Sequence, residues 1–239
     1  MYKLVVSSFD NTLINSEEAI STSTMIKLDE IRNKGVIFGI STNRCYKDVL
    51  SYNRDFPFID YIIAYNGAYV YDVKKEKTLF KKSLLIGNVK KIYNKFKDYK
   101  LLFYTDTDIY NDLNAINDNK VYKIKIICNE SEFNLISKEL DKLNLDIIYY
   151  MNNDYDSYFI EIFRRSVNKL IGIEKICNKK ISLDNVLYIG YDNTDLDVFK
   201  NVGYSSIVAN GNLELKDYVD CVTFSNDEKG VEKLLNKMM

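Results

Sequence analysis

Three short clusters of hydroxyl, amide and carboxylate side chains each follow an apolar run in this 239-residue chain. Ser7, Ser8, Asp10, Asn11 and Thr12 come after Leu4–Val6; Ser41, Thr42, Asn43 and Arg44 after residues 36–40; Tyr191, Asp192, Asn193, Thr194 and Asp195 after residues 186–190. A fourth pair, Asn168 and Lys169, opens a helical pattern. Hydroxyls and backbone N–H groups at helix starts suit a phosphate, a lysine neutralises it, and carboxylates hold Mg²⁺ or move protons. Phosphoryl transfer is the reaction class these residue types share.

The elements that must position them alternate. Leu4–Val6 reads as a buried strand, and Met25, Leu28 and Ile31 recur at helical spacing until Gly35 ends the helix. A strand at 36–40, a helix after Arg44 and a strand at 61–64 continue the rhythm; so do a helix at 169–178, strands at 186–190 and 205–209, and helices at 195–201 and from Glu228. Such alternation implies a parallel, right-handed α/β sheet, in which ligands bind beyond the carboxyl ends of the strands. The three clusters fall there. Between these halves the pattern changes to paired strands with helices at 88–97 and 131–143. The fold expected is α/β: a Rossmann-like parallel sheet core at 1–80 and 166–239, carrying an inserted α+β domain at 81–165.

Composition excludes several functions. With no histidine, the usual triads and most zinc sites are out of reach. Lys and Arg total 33 against 34 Asp and Glu, so no basic field draws nucleic acid or an anionic membrane. Cys45, Cys128, Cys177 and Cys221 are scattered without a C-x-x-C pair, the first residues form no apolar export segment, and the apolar runs are strand-length. A cytoplasmic protein acting on a small molecule is expected.

The segments KLVVSSFDNTLIN, GISTNR, YIIAYNGAYVYD, RRSVNKLIGIEKI and VLYIGYDNTDLDVFKNVGYSSIVANGN, in that order, resemble the capped haloacid dehalogenase superfamily, in particular Cof-type phosphatases. Their order and spacing make the match specific. The resemblance implies a phosphatase core whose inserted cap selects a small phosphorylated metabolite, with Mg²⁺ as cofactor if the protein is active. It also assigns residues. In D-x-D-G-T the leading Asp is nucleophile and metal ligand, and the second is the acid/base; here Ser8 stands at the first position, Asp10 at the second, and Asn11 at the glycine. Thr42 and Lys169 match the phosphate-binding groups, while Arg44 and Asn66 fall on the substrate side, with Asn43 at another glycine. In G-D-x-x-N-D, Tyr191 occupies the metal-ligand Asp and Thr194 the Asn, leaving Asp195, with Asp192 one residue out of register.

Two anionic oxygens for Mg²⁺ are therefore missing at once, and a neutral serine is a poor nucleophile without an activating base. The sequence is expected to encode a phosphatase-like protein, weak or inactive, that retains phospho-metabolite binding and needs no cofactor. Two other readings stand beside it: a working Mg²⁺-dependent phosphomonoesterase that uses Asp10, Asp192 and Asp195, and a non-catalytic interaction module. The bland readings are turn-forming roles for Asp10 and Thr12, capping for Thr42, Asp192 and Asp195, solvation for Lys169, and sheet packing for Tyr149, Tyr150, Tyr155 and Tyr158.

Overall fold

The computed structural model describes residues 2–54, 57–106, 108–116, 120–152 and 157–239. In chain order the elements are β1 (Leu4–Ser8), α1 (Thr22–Asn33), β2 (Ile37–Ser41), α2 (Tyr46–Leu50), β3 (Tyr61–Ala64), β4 (Tyr69–Asp72) and β5 (Lys77–Lys81). There follow α3 (Ile86–Phe96), β6 (Lys100–Tyr104), β7 (Ile109–Tyr110), β8 (Lys123–Cys128), α4 (Glu130–Leu140), β9 (Leu145–Asn152) and β10 (Ser157–Arg164). The chain closes with α5 (Lys169–Cys177), β11 (Val186–Gly190), α6 (Leu196–Phe199), β12 (Tyr204–Val208), β13 (Cys221–Thr223) and α7 (Gly230–Met238). Two compact units result: Met1–Phe80 with Asn168–Met239, and Lys81–Val167.

The first unit is built on an eight-stranded sheet in the order β13-β12-β11-β1-β2-β3-β4-β5. From β13 to β3 every pairing is parallel, and the β3–β4 hairpin adds an antiparallel edge. Leu4, Val5 and Val6 have no exposed surface, as a strand covered on both faces requires. Leu4, Val6, Ile63, Val186 and Tyr188 pack with Ile173 and Ile176 of α5 and with Val198 and Phe199 of α6. On α1, Ser21 accepts the Thr24 N–H as a cap, Leu28 and Ile31 are buried, and Gly35, at φ +85°, follows the last turn.

The register fixes where the site lies. Ser8, the last residue of β1, is paired with Ser41, the last of β2, while Ser7 is paired with Ile189 one residue before the end of β11. The polar clusters that follow β1, β2 and β11 thus emerge side by side at one edge of one sheet.

The inserted unit is an antiparallel five-stranded sheet in the order β7-β6-β8-β10-β9. Val89, Ile92 and Phe96 of α3 and Ile136 and Leu140 of α4 cover one face through Phe103, Ile124, Ile126, Ile160 and Ile162. The alternate residues of β8 and β10 carry charge: Lys123 Nζ sits 2.8 Å from Glu161 Oε1, both buried, and the Tyr150 hydroxyl donates to the same oxygen at 3.2 Å. Tyr158 stacks on Phe133, which also meets Tyr149 edge-on. Tyr155 lies outside the described residues.

Candidate functional site

Ser8 closes β1 and is 6% exposed. The chain then makes one tight turn over Phe9–Leu13, in which Asp10 is extended (φ −65°, ψ 137°) and Asn11 is left-handed (φ 54°, ψ 14°). Asparagine is among the few side-chain-bearing residues that tolerate this region. Asn11 therefore sustains the turn that aims Asp10.

Asp10 meets the cluster after β2. Arg44 Nε donates to Asp10 Oδ1 at 2.8 Å, and Nη2 lies 2.7 Å from the same oxygen as an ion pair. The Thr42 hydroxyl accepts the Arg44 backbone N–H at 3.0 Å and donates to Asp10 Oδ2 at 3.2 Å. A second carboxylate, Glu18, accepts from Arg44 Nη2 at 3.3 Å. Burial pulls the guanidinium's pKa down, but the charge and hydrogen bonds of Asp10, with Tyr52 and Glu18 adding, outweigh it and hold Arg44 above its ordinary value.

Ser8 belongs to a second, deeper cluster. Lys169, the first residue of α5, follows Asn168, whose side chain caps the helix by accepting the Ile171 N–H. Lys169 Nζ donates to Asp195 Oδ1 at 2.5 Å and to Ser8 Oγ at 3.4 Å. The Tyr188 hydroxyl donates to the same Asp195 oxygen at 2.6 Å and shares a 2.8 Å hydrogen bond with Ser41 Oγ. Asp195 Oδ2 accepts the backbone N–H groups of Tyr191 and Asp192 at 2.7 and 3.2 Å. Four donors therefore converge on one carboxylate that has no exposed surface. Gly190 makes the approach possible, since a Cβ there would lie 2.7 Å from Asp195 Oδ2. Burial, then the charge and hydrogen bond of Asp195, push the Tyr188 phenol well above its usual pKa.

The remaining sequence candidates fall around these clusters. Asp192 turns to its own helix start, accepting the Thr194 N–H and hydroxyl at 2.9 and 2.6 Å. The Tyr191 backbone serves Asp195 and, through its carbonyl, the Asn212 N–H. Asn66, left-handed at φ 52°, donates its N–H to the Thr42 carbonyl at 3.0 Å. Its buried Oδ1 has no hydrogen-bond partner among the described residues. The structure thus joins Asp10 with Thr42 and Arg44, and Ser8 with Lys169 and Asp195; Asp192 reaches the second cluster through its backbone N–H while its carboxylate turns to Thr194.

Mg²⁺ needs carboxylate oxygens with lone pairs to spare in octahedral geometry. Asp195 has both oxygens occupied by donors and Asp10 is held by Arg44 and Thr42. No group of three His, Cys, Asp or Glu side chains among the described residues could hold a metal ion. Among the described residues, the carboxylates around Ser8 thus leave a cation few unshared oxygens.

A family model for haloacid dehalogenase-like hydrolases matches residues 5–114 and 103–235. The chain belongs to the haloacid dehalogenase-like hydrolases. It is 22% identical over 260 residues to the 5-amino-6-(5-phospho-D-ribitylamino)uracil phosphatase YitU of Bacillus subtilis, covering 98% of this chain and 96% of that one. Among solved structures, a haloacid dehalogenase-like hydrolase from Bacteroides thetaiotaomicron superposes with a TM-score of 0.85 at 21% identity over 100% of both chains. A subclass IIB sugar phosphatase of the superfamily gives 0.79 at 20% identity, over 99% of this chain and 98% of that one.

Tyr188 and Glu18 join the site without belonging to any of the polar clusters of the sequence. Tyr188 had a legible signal: a phenol inside the apolar run of residues 186–190 must find a partner for its hydroxyl once buried. Nothing in the sequence tied Glu18 to Arg44.

Proposed function

We propose that this chain is a phosphatase-fold protein that has lost most or all metal-dependent phosphomonoester hydrolysis and binds a small phosphorylated metabolite through Thr42 and Lys169. The observation that carries this reading is the environment of Ser8. Its hydroxyl stands where a nucleophilic carboxylate is expected, and it accepts from the Lys169 ammonium, which is paired with Asp195. An ammonium cannot take the serine proton, and Asp10, the one carboxylate in the same turn, is committed to Arg44 and Thr42. Loss of a nucleophile from a preorganised hydrolase costs about 10⁶ in kcat, roughly 8 kcal/mol.

The binding half of the reading is supported by donors that outlast the lost chemistry: a nearly buried hydroxyl at Thr42 and an ammonium at the start of α5. One relative is by name a phosphatase of a phosphoribityl compound and one structural neighbour a sugar phosphatase, which favours a small phosphorylated metabolite over a polymer. No helix among the described residues is long and apolar enough to cross a membrane. The four cysteines are unpaired, which suits a reducing cytosol.

The test is turnover of p-nitrophenyl phosphate and a sugar-phosphate panel with and without Mg²⁺. We expect a rate no higher than that of Asp10→Asn; robust Mg²⁺-dependent turnover abolished by Asp10→Asn would establish a working hydrolase instead. Calorimetry with inorganic phosphate separates a binding protein from an interaction module without phosphate affinity.

A further inference from the structure

We infer that the Asp10 carboxylate is the resident anion of the site's own phosphate donors, and that a phosphate gains Arg44 and Thr42 only by displacing it. This rests on the phosphate-binding reading above and says what opposes that binding.

The donors a phosphate would use are already aimed at Asp10. The Thr42 hydroxyl has one proton; its oxygen accepts the Arg44 N–H, and the proton goes to Asp10 Oδ2. At 2% exposure Thr42 has no solvent to turn to. Arg44 commits Nε and Nη2 to Asp10 Oδ1 and shares Nη2 with Glu18. Two hydrogen bonds and an ion-pair contact thus grip two carboxylate oxygens, much as an oxyanion would be gripped.

The charges lead to the same conclusion. Arg44 faces Asp10 and Glu18, and Lys169 faces Asp195, so two cations meet three carboxylates, a local balance of 2 − 3 = −1. A phosphate dianion entering beside a seated Asp10 meets net repulsion from this balance. Displacement is feasible since the Asp10 side chain is 39% exposed and can turn into water without burying its charge. The turn that carries it is bounded by the left-handed Asn11, so the carboxylate leaves by side-chain rotation while the strand end stays fixed. The ligand class is a phosphate monoester, or phosphate itself, whose oxygens take over the Thr42 and Arg44 contacts.

The experiment is calorimetric titration of the full chain with inorganic phosphate in EDTA, on wild type, Asp10→Asn and Asp10→Ser. Removing one like charge within about 4 Å should tighten phosphate binding by about tenfold in both variants. In the wild type, the Arg44 Nε–Hε resonance should move in step with phosphate saturation, a readout that needs no variant to fold. Equal or weaker binding in both variants, or an Arg44 resonance that stays fixed while phosphate binds, overturns the displacement and leaves binding through Lys169 standing. If none of the three proteins binds phosphate, the binding reading falls and takes this one with it.

Discussion

Lys169 Nζ lies 2.5 Å from Asp195 Oδ1, with side chains only 4% and 0% exposed, so a buried ion pair occupies the centre of the candidate site. Such a pair adds little net stability over an apolar replacement, but removing one partner strands a charge. Here the pair is held by Tyr188 and by two backbone amides.

Asp195→Asn leaves the Lys169 ammonium buried beside a neutral amide and a serine hydroxyl. The expected loss is about 3–5 kcal/mol, read as a lowered urea midpoint at unchanged slope. A loss below about 1 kcal/mol would show that Lys169 reaches water or another anion.

Tyr188→Phe removes a hydrogen bond to a charged acceptor, for an expected cost of about 1.5–3 kcal/mol at neutral pH. The phenol's pKa is raised in the folded state by burial first and by Asp195 second. A group raised on folding contributes its stability below the unfolded pKa, about 10 for tyrosine, and loses it as pH rises beyond that. Urea midpoints between pH 9 and 11 should therefore fall less steeply for Tyr188→Phe than for wild type. Parallel slopes would mean that Tyr188 does not resist ionisation.

Much of this architecture was legible in the sequence because it follows from patterning. The apolar strand at Leu4–Ser8, the helix stop at Gly35 and the carboxyl-end clusters follow from burial, backbone freedom and the geometry of parallel sheets. The site was legible only as residue types. That Asp192 caps Thr194 while Asp195 turns inward depends on a Cβ-free Gly190, and that Arg44 bridges Asp10 to Glu18 depends on a loop whose path no periodicity sets. Short helices were also placed loosely: α6 spans only Leu196–Phe199 and α7 begins at Gly230, because tight turns at Asp192–Asp195 and Ser225–Lys229 satisfy the first amides before regular helix starts.

Ser8→Asp combined with Tyr191→Asp places a carboxylate at each of the two positions where the proposed reading finds one absent. On that reading, Mg²⁺-dependent turnover of p-nitrophenyl phosphate should rise above the wild-type rate. Absence of any gain in a folded double variant would direct attention to Asn43 and Thr194, since Asn11 already supplies the left-handed turn.

The most direct measurement is a calorimetric titration of the wild-type chain with MgCl₂ in the presence of phosphate. With Asp195 saturated by four donors and Asp10 held by Arg44 and Thr42, no saturable Mg²⁺ binding should be seen up to millimolar metal. Stoichiometric binding that disappears in both Asp10→Asn and Asp195→Asn would contradict a site closed to the cation.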